Sequence, residues 1–404
     1  MKKTFYGLTL ILLVIIANHL NVSAQSLTFD QTARHLFMGS SVYESETLSY
    51  ETTYHELQSS NNLPDPELGG EFLAAPAGES NRWAAELTWE AEWPGVYHAR
   101  GQEKDARINE AKALLKDKRR ERLAEIKILL AEYIILQRKL TLIEELDQSN
   151  DSIYEIGVGN AKEGMMTVLD LNKIKLERAN VKGMRAAVAD EIMENIAALS
   201  SLYGKDCSGL LSRMELKLPD IYIPAEEELS EIAQKAPSVE LADAVVEVAK
   251  AGEKVASREL LPSFGIGYKH AYEEGMHFNG GTLGISLPIF SGRKKKEAAK
   301  AAIKEADFNA LAARESLLAE LQQLTRRLGS MNERTKEIAS VLDRGDQFEL
   351  LLSAYREGVI TLVDYLAERN YFINAEIEYL SLLKSVAIVS ITLDSYMSAD
   401  DFAD

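Results

Sequence analysis

The sequence predicts a mainly α-helical exported chain, interrupted by short membrane-type β-strands and built as two like halves. Three observations carry this. Apolar residues recur at alternating spacings of three and four over long stretches, the heptad seam of a coiled coil. Two Pro- and Gly-containing segments break that pattern with partial two-residue alternation, as half-buried strands do. Landmarks in the two halves also share nearly one offset: Leu63-Pro64 returns as Leu261-Pro262 198 positions later, and Pro94 as Pro288 194 later. Glu163-Gly164-Met165-Met166-Thr167-Val168-Leu169-Asp170 likewise resembles Glu357-Gly358-Val359-Ile360-Thr361-Leu362-Val363-Asp364, again 194 later. One large duplication fits this, whereas a solenoid would repeat every 20–50 residues.

Taken in order, Lys2 and Lys3 precede an apolar run from Phe5 to Ile16, and Val22-Ser23-Ala24 offers small residues for cleavage. Residues 1–24 read as a cleaved secretory signal with Gln25 as the first mature residue. The first repeat, 25–218, is expected to hold a hairpin at about 63–94 and long helices at about 96–150 and 160–203. Its strands are Glu67–Ala75 and Arg82–Trp93 around the turn-like Pro76-Ala77-Gly78-Glu79. The second repeat, 219–404, repeats this with a hairpin at about 261–292 and helices at about 293–344 and 346–396. Its strands are Ser263–Tyr272 and Gly281–Phe290, joined across Glu273-Glu274-Gly275 and Asn279-Gly280. Heptad positions in the first half run Ile126, Leu129, Tyr133, Leu136, Leu140 and Ile143. In the second half they run Leu317, Leu321, Leu324, Leu328, Met331, Ile338 and Leu342, then Val359, Leu362, Leu366, Ile373, Leu380 and Leu383, broken at Arg369. At 1.5 Å per residue the 293–344 helix reaches roughly 75 Å. No mature segment reads as an apolar span of membrane length. The longest, Ser385–Leu393, is too short, so any membrane entry must be made by strands, each near the 9–11 residues of a tilted membrane strand.

Composition excludes several classes. A formal net charge of −18 argues against nucleic acid as a partner. The single cysteine, Cys207, rules out an intramolecular disulfide and a Cys-based zinc site. Gly-rich phosphate loops, H-E-x-x-H helices and G-x-S-x-G turns are missing from the sequence, so neither catalytic chemistry nor a cofactor is expected. The basic groups Lys116, Lys118, Arg119, Arg120, Arg122 and Arg293–Lys296 read as interfacial or solvated charges. Trp83, Trp89, Trp93 and Tyr97 suit an interfacial aromatic belt, and partial core packing suits Trp83 and Trp89 equally. Met165-Met166 invites soft-metal handling but reads as tip packing; Met276, His270 and His277, on or near the second hairpin, invite the same idea and read instead as part of a mobile external loop.

The Pro-containing entry into each hairpin, the strand end Leu287-Pro288-Ile289-Phe290-Ser291-Gly292-Arg293 and the Tyr355-Arg356-Glu357-Gly358…Asp364 turn resemble the TolC-type outer-membrane efflux proteins. These are the outer membrane factors of tripartite efflux and secretion systems, and the resemblance covers essentially the whole mature chain. It implies a homotrimer sharing one 12-stranded β-barrel, with the long helices forming a periplasmic coiled-coil barrel. Strand arithmetic supports sharing: four strands cannot close a barrel and known bacterial barrels begin at about 8 strands. Two, three or four copies satisfy closure equally.

The resemblance further implies outer-membrane lipid, a periplasmic adaptor (membrane fusion) protein and an inner-membrane RND or ABC-type transporter as partners, and passive export as the function. It places Asp364 at the narrowest part of the entrance, with Asp170 its counterpart in the first half. A ring of carboxylates favours cations. The plainer reading is that each aspartate helps to begin a helix. Family members carry a second acidic residue three positions on and an Arg near the start of the motif; here these are Ala367 and Ile360. Glu163, Gly164, Tyr355, Glu357 and Gly358 form the tip turns, where an adaptor would make contact, and the two glycines suit positive φ. The competing class is a structural or adhesive coiled-coil protein, which has no reason to interrupt its heptads with two membrane-length hairpins.

Overall fold

A computed structural model describes residues 26–76, 81–288, 292–342 and 347–397. The leader at 1–24, most of the Pro76–Glu79 turn, residues 289–291 of the Leu287–Arg293 motif and the helix break near 345 lie outside them. The elements run α1 (Phe29–Met38), α2 (Ser41–Ser59), β1 (Glu67–Leu73), β2 (Arg82–Ala91), α3 (Pro94–Lys162), α4 (Val168–Tyr203) and α5 (Ser208–Leu211). They continue with α6 (Glu226–Lys235), α7 (Pro237–Arg258), β3 (Ser263–Glu273), β4 (Met276–Ser286), α8 (Gly292–Leu342), α9 (Gln347–Arg356) and α10 (Leu362–Met397).

Contacts divide the chain into two compact units. One is built from the N-terminal residues to Ser45, Arg119–Leu229 and Leu321–Ser398; the other from Glu46–Lys118 and Ser230–Glu320. Each therefore draws on both sequence halves.

The first unit is a coiled coil. On α4 the buried positions Ile174, Val181, Val188 and Asn195 recur every seven residues, with Ile192 and Leu199 beside them. On α3 the buried side chains include Leu123, Ile126, Leu130, Tyr133, Ile134, Ile135, Leu142, Ile143, Leu146 and Ile153, so the predicted Ile126, Tyr133 and Ile143 are buried, while the predicted Leu129, Leu136 and Leu140 are half-buried. The difference arises because α3 packs on two sides. Asn195 on α4 donates to the Leu129 carbonyl (3.1 Å), and Lys127 pairs with Asp30 and with Asp394 on α10 (both 3.1 Å).

Helix α3 runs unbroken for 69 residues to Lys162, where the sequence predicts a stop near 150. Gly157 does not interrupt it. A Cβ there would lie 2.7 Å from Ile174 Cδ1, so the glycine marks a close helix–helix approach rather than a turn. The long second-half helix expected at 346–396 is instead two helices, α9 and α10, separated by the Glu357–Thr361 turn.

Helix α10 is long and apolar enough, by length and composition, to cross a membrane. This corrects the reading that no mature segment reaches spanning length. Its Val386, Ala387, Val389, Ile391 and Leu393 are buried within the protein, so packing against neighbouring helices accounts for their apolar character. Also on α10, Glu376 is half-buried, and burial, followed by the charge of Glu145, raises its pKa. A raised folded pKa means that the unfolded chain ionises first as pH rises. Stability is then lost through that window, and the penalty persists at neutral pH. Glu376→Gln should therefore raise the thermal midpoint at pH 7 and leave it unchanged well below the carboxylate range, as circular dichroism melts would show.

Arg119 and Arg120 also depart from expectation, because neither is a solvated charge. Both are buried, their guanidinium groups 4.5 Å from the ring centres of Tyr43 and Tyr396 respectively. Cys207 is a buried free thiol, pushed up in pKa first by its burial.

The second unit carries the sheet. All four strands are antiparallel neighbours in the order β1-β2-β3-β4, so the two hairpins join through β2 and β3. The β3–β4 turn is shorter than predicted. Glu274 and Gly275 alone make it, with φ of 54° and 83°, the left-handed pair that a two-residue hairpin requires. Strand β4 consequently starts at Met276 and ends at Ser286, and Asn279-Gly280 lies inside it.

Candidate functional site

The two helix tips are built alike. Helices α3 and α9 each end in a glycine at positive φ, Gly164 at 76° and Gly358 at 73°. The next amide turns back to the carbonyl five residues earlier, Met165 to Asn160 (2.8 Å) and Val359 to Ala354 (2.9 Å). That is the Schellman ending, which uses glycine because a Cβ is disfavoured there. Gly358→Ala should cost about 1–2 kcal/mol for forcing an L-residue into the left-handed region. Gly329→Ala, inside α8 with open space around it, should stabilise by up to about 1 kcal/mol. Thermal melts of the two variants should shift in opposite directions.

A threonine begins each following helix, and an aspartate three residues on completes the cap. Thr167 Oγ1 accepts from the Asp170 amide (3.1 Å) and donates to Asp170 Oδ2 (2.7 Å). Thr361 and Asp364 repeat this at 3.2 and 2.6 Å, with the Thr361 amide also reaching Asp364 Oδ2 at 3.3 Å. Both aspartates predicted as pore residues thus take the helix-starting role in the single chain. The Thr167 hydrogen bond, followed by that from Lys173, holds the Asp170 carboxyl below its usual pKa. Asp364 is exposed.

Behind the turns lies one apolar cluster: Ile153, Ile174, Leu362 and Tyr365, with Met166, Tyr355 and Ile360 packed against it. Met166 accordingly fills the tip core, and Tyr355 tilts over Tyr365 with ring centres 5.5 Å apart. Burial, then the Asp170 charge, raises the Tyr355 pKa. Glu163 and Glu357 are exposed, and Glu357 accepts from Ser353 (3.2 Å). The tips also turn apolar side chains outward: Met165, Val168, Leu169, Val359 and Val363 are all exposed, Leu169 by 74% and Val359 by 72%.

Arg369 is the tip residue that the sequence reading treats only as a break in the heptads. It is 0% exposed. Its Nη1 donates to Asn150 Oδ1 (2.5 Å) on α3 and its Nη2 to Glu177 Oε1 (2.9 Å) on α4, so one guanidinium ties together three helices. A charge at a seam position is the signal that could have found it.

The sheet has two chemically distinct faces. Cross-strand partners share a face, so the register places Leu68, Phe72, Trp83, Leu87, Trp89, Phe264, Ile266, Tyr268, Tyr272, Leu283 and Ile285 on one side. That face holds no Asp, Glu, Lys or Arg. Every such residue of the four strands, Glu67, Glu71, Arg82, Glu86, Glu90, Lys269 and Glu273, lies on the other. The apolar side chains are nonetheless exposed: Leu68, Phe72, Leu87, Ile266, Leu283 and Ile285 all face outward. Aromatic residues mark both ends of this face. Trp83 and Tyr272 stand toward the β3–β4 turn and Trp89 and Phe264 at the opposite end, where Trp93 packs on Phe264 at 5.5 Å and Trp89 donates to the Pro64 carbonyl at 2.8 Å. From Phe264 to Tyr272 the strand rises roughly 26 Å, close to the roughly 25 Å apolar band that aromatic girdles flank in membrane barrels. Strands β1 and β4 are open edges.

Solved outer-membrane channels share this architecture. The OprN outer-membrane channel superposes with a TM-score of 0.74 at 15% identity, over 92% of this chain and 90% of that one. The Campylobacter jejuni CmeC outer membrane channel gives 0.72 at 15% identity, over 92% and 85%. The Vibrio cholerae outer membrane protein VceC gives 0.70 at 14% identity, over 91% and 94%. The chain has the TolC-type channel fold. No family model matches the sequence, and no curated protein matches it, so the fold is retained at a sequence distance where those comparisons find nothing. Among the described residues, the sheet and the capped tips each expose a group of apolar side chains in the single chain.

Proposed function

We propose that this chain is one protomer of a homotrimeric outer-membrane channel, the passive exit duct of a tripartite efflux pump or type I secretion system. The sheet carries the proposal. A face without Asp, Glu, Lys or Arg suits lipid, the charged face suits a water-filled lumen, and two open edges call for strands from further copies. Three copies give the twelve strands that the family resemblance implies. The repeats 25–218 and 219–404 each contribute one hairpin and one tip. The helices form the periplasmic extension, and the exposed apolar turns around Gly164 and Gly358 are the contact surface for a periplasmic adaptor, which couples the channel to an inner-membrane RND or ABC-type transporter. Asp364, and Asp170 beside it in role, line the entrance as a cation-favouring ring while capping their helices. The protein performs no catalysis and uses no cofactor.

Detergent-extracted protein should run as a heat-modifiable oligomer and form conducting pores in planar bilayers. Asp364→Ala should alter conductance and relieve block by multivalent cations. A water-soluble monomer without conductance would overturn the channel in favour of a structural coiled-coil protein. Unchanged cation block would remove Asp364 from the constriction.

A further inference from the structure

The end of the sheet beside the β3–β4 turn holds a constellation that the channel reading leaves unused. His270 and His277, expected in an external loop, instead lie on neighbouring strands. The register pairs His270 with Asn279 and Tyr272 with His277, which puts both imidazoles on the apolar face, diagonal to one another. Their rings stack with centres 5.3 Å apart. Trp83 lies 5.2 Å from His270 and Tyr272 lies 5.0 Å from His277, so aromatic surface borders the pair.

The contacts around His270 select one tautomer for metal binding. Asn279 Oδ1 accepts from the Tyr268 hydroxyl (2.8 Å) and contacts His270 Nδ1 at 2.6 Å. A carbonyl oxygen can only accept, so the His270 tautomer that satisfies this contact carries its proton on Nδ1 and presents Nε2 as the free lone pair. That Nε2 lies 3.4 Å from His277 Nδ1. The separation is long for an N–H donor, whose preferred distance is about 2.9–3.0 Å. It does match two imidazole nitrogens on one tetrahedral ion: at metal–nitrogen distances of 2.0–2.1 Å they lie about 3.3–3.4 Å apart. An orienting acceptor on the non-ligating nitrogen is also what metal-binding histidines generally have.

We propose that His270 Nε2 and His277 Nδ1 together bind one borderline divalent transition-metal ion, Zn²⁺ or Cu²⁺, with water completing the coordination. Asn279, held by Tyr268, is the positioning residue. Imidazole pairs suit these ions, whereas Mg²⁺ and Ca²⁺ demand oxygen ligands. No third His, Cys, Asp or Glu clusters there among the described residues, so the site is an exchangeable surface clip across β3 and β4 rather than a closed structural centre. It is a property of the single chain and does not depend on the channel reading.

The test uses untagged full-length protein in detergent, titrated with Zn²⁺ by calorimetry and with Cu²⁺ by electron paramagnetic resonance. One saturable site per chain is expected, with two nitrogen donors in the Cu²⁺ spectrum. His277→Phe, which keeps a ring against Tyr272, should weaken binding at least 10-fold and remove a nitrogen from the spectrum. Asn279→Ala should weaken it about 10–100-fold, as loss of an outer-shell partner does. A combined replacement of His35, His55 and His98 should leave it intact. Equal affinity of the wild type and His277→Phe, or a spectrum with fewer than two nitrogens in the wild type, would overturn the site. Unchanged circular dichroism of each variant keeps a folding defect distinct from a lost ligand.

Discussion

Arg369→Ala is expected to destabilise the helical unit by about 3–5 kcal/mol, the usual consequence of removing one partner from a buried charge pair. The guanidinium is wholly enclosed, with Asn150 and Glu177 as acceptors and the Tyr365 ring beneath it at 5.5 Å. Truncation strands Glu177, whose side chain is only 19% exposed, in a medium that penalises an unpaired charge. At roughly 2–4 °C per kcal/mol for a unit of this size, the midpoint should fall by about 6–20 °C. Arg369→Lys should recover only part of the loss, because one ammonium cannot reproduce the planar fork that spans two acceptors. Replacing Arg369 and Glu177 together by methionine should cost less than Arg369→Ala, since no charge is then left buried. Melts in which Arg369→Ala stays within 1 kcal/mol of the wild type would show that the network is incidental. Since the three helices meet beside the turns, limited proteolysis should also cut Arg369→Ala faster between residues 163 and 167 than the wild type.

Arg369 also marks where the sequence stops being legible. A charge in an apolar seam reads either as an interruption or as half of a buried pair. Its partners lie 219 and 192 residues away in the chain, beyond anything periodicity can connect. Local signals fared better. Heptads located the long helices because burial on a coiled coil repeats every seven residues, and Leu-Pro and Pro-Gly punctuation located the hairpins. Where two turn signals adjoined, the connection was expected to span both and only the first is a turn. Asn279-Gly280 is the better two-residue turn by composition, yet Glu274-Gly275 takes the positive φ values, and Asn279 spends its side chain on Tyr268 and His270. Gly157 sits inside α3 because Ile174 approaches it closely, a partner that local sequence cannot supply. At the tips, both roles weighed for the aspartates start from the same residues. The capping role needs only the three-residue spacing to Thr167 and Thr361, which the sequence displays.

Adjacent residues of β2 should give opposite outcomes when each is replaced by arginine. Leu87 sits midway between the aromatic ends of the sheet, paired with Leu68 and Tyr268 on the apolar face, and is 49% exposed in the single chain. Arginine on a lipid face near the bilayer midplane costs about 2–4 kcal/mol, and the proposed trimer would incur that cost three times. Leu87→Arg should therefore fail to accumulate as a heat-modifiable oligomer in the outer membrane, measured by fractionation and unheated gel electrophoresis. Glu86, one residue earlier, pairs with Gly69 and Lys269 on the opposite face. Glu86→Arg should assemble to wild-type levels, because the proposed lumen is wet and arginine there would lose little hydration. It also reverses one charge per protomer on a face that carries five Glu against Arg82 and Lys269, so, if that face lines the proposed pore, its cation preference should weaken, read as a shifted reversal potential in a salt gradient. Alternation between the faces is what makes the contrast sharp: a strand in water would tolerate both substitutions, and a strand buried in protein would reject both. Equal assembly of the two variants would therefore take the apolar face out of the membrane and remove the barrel with it.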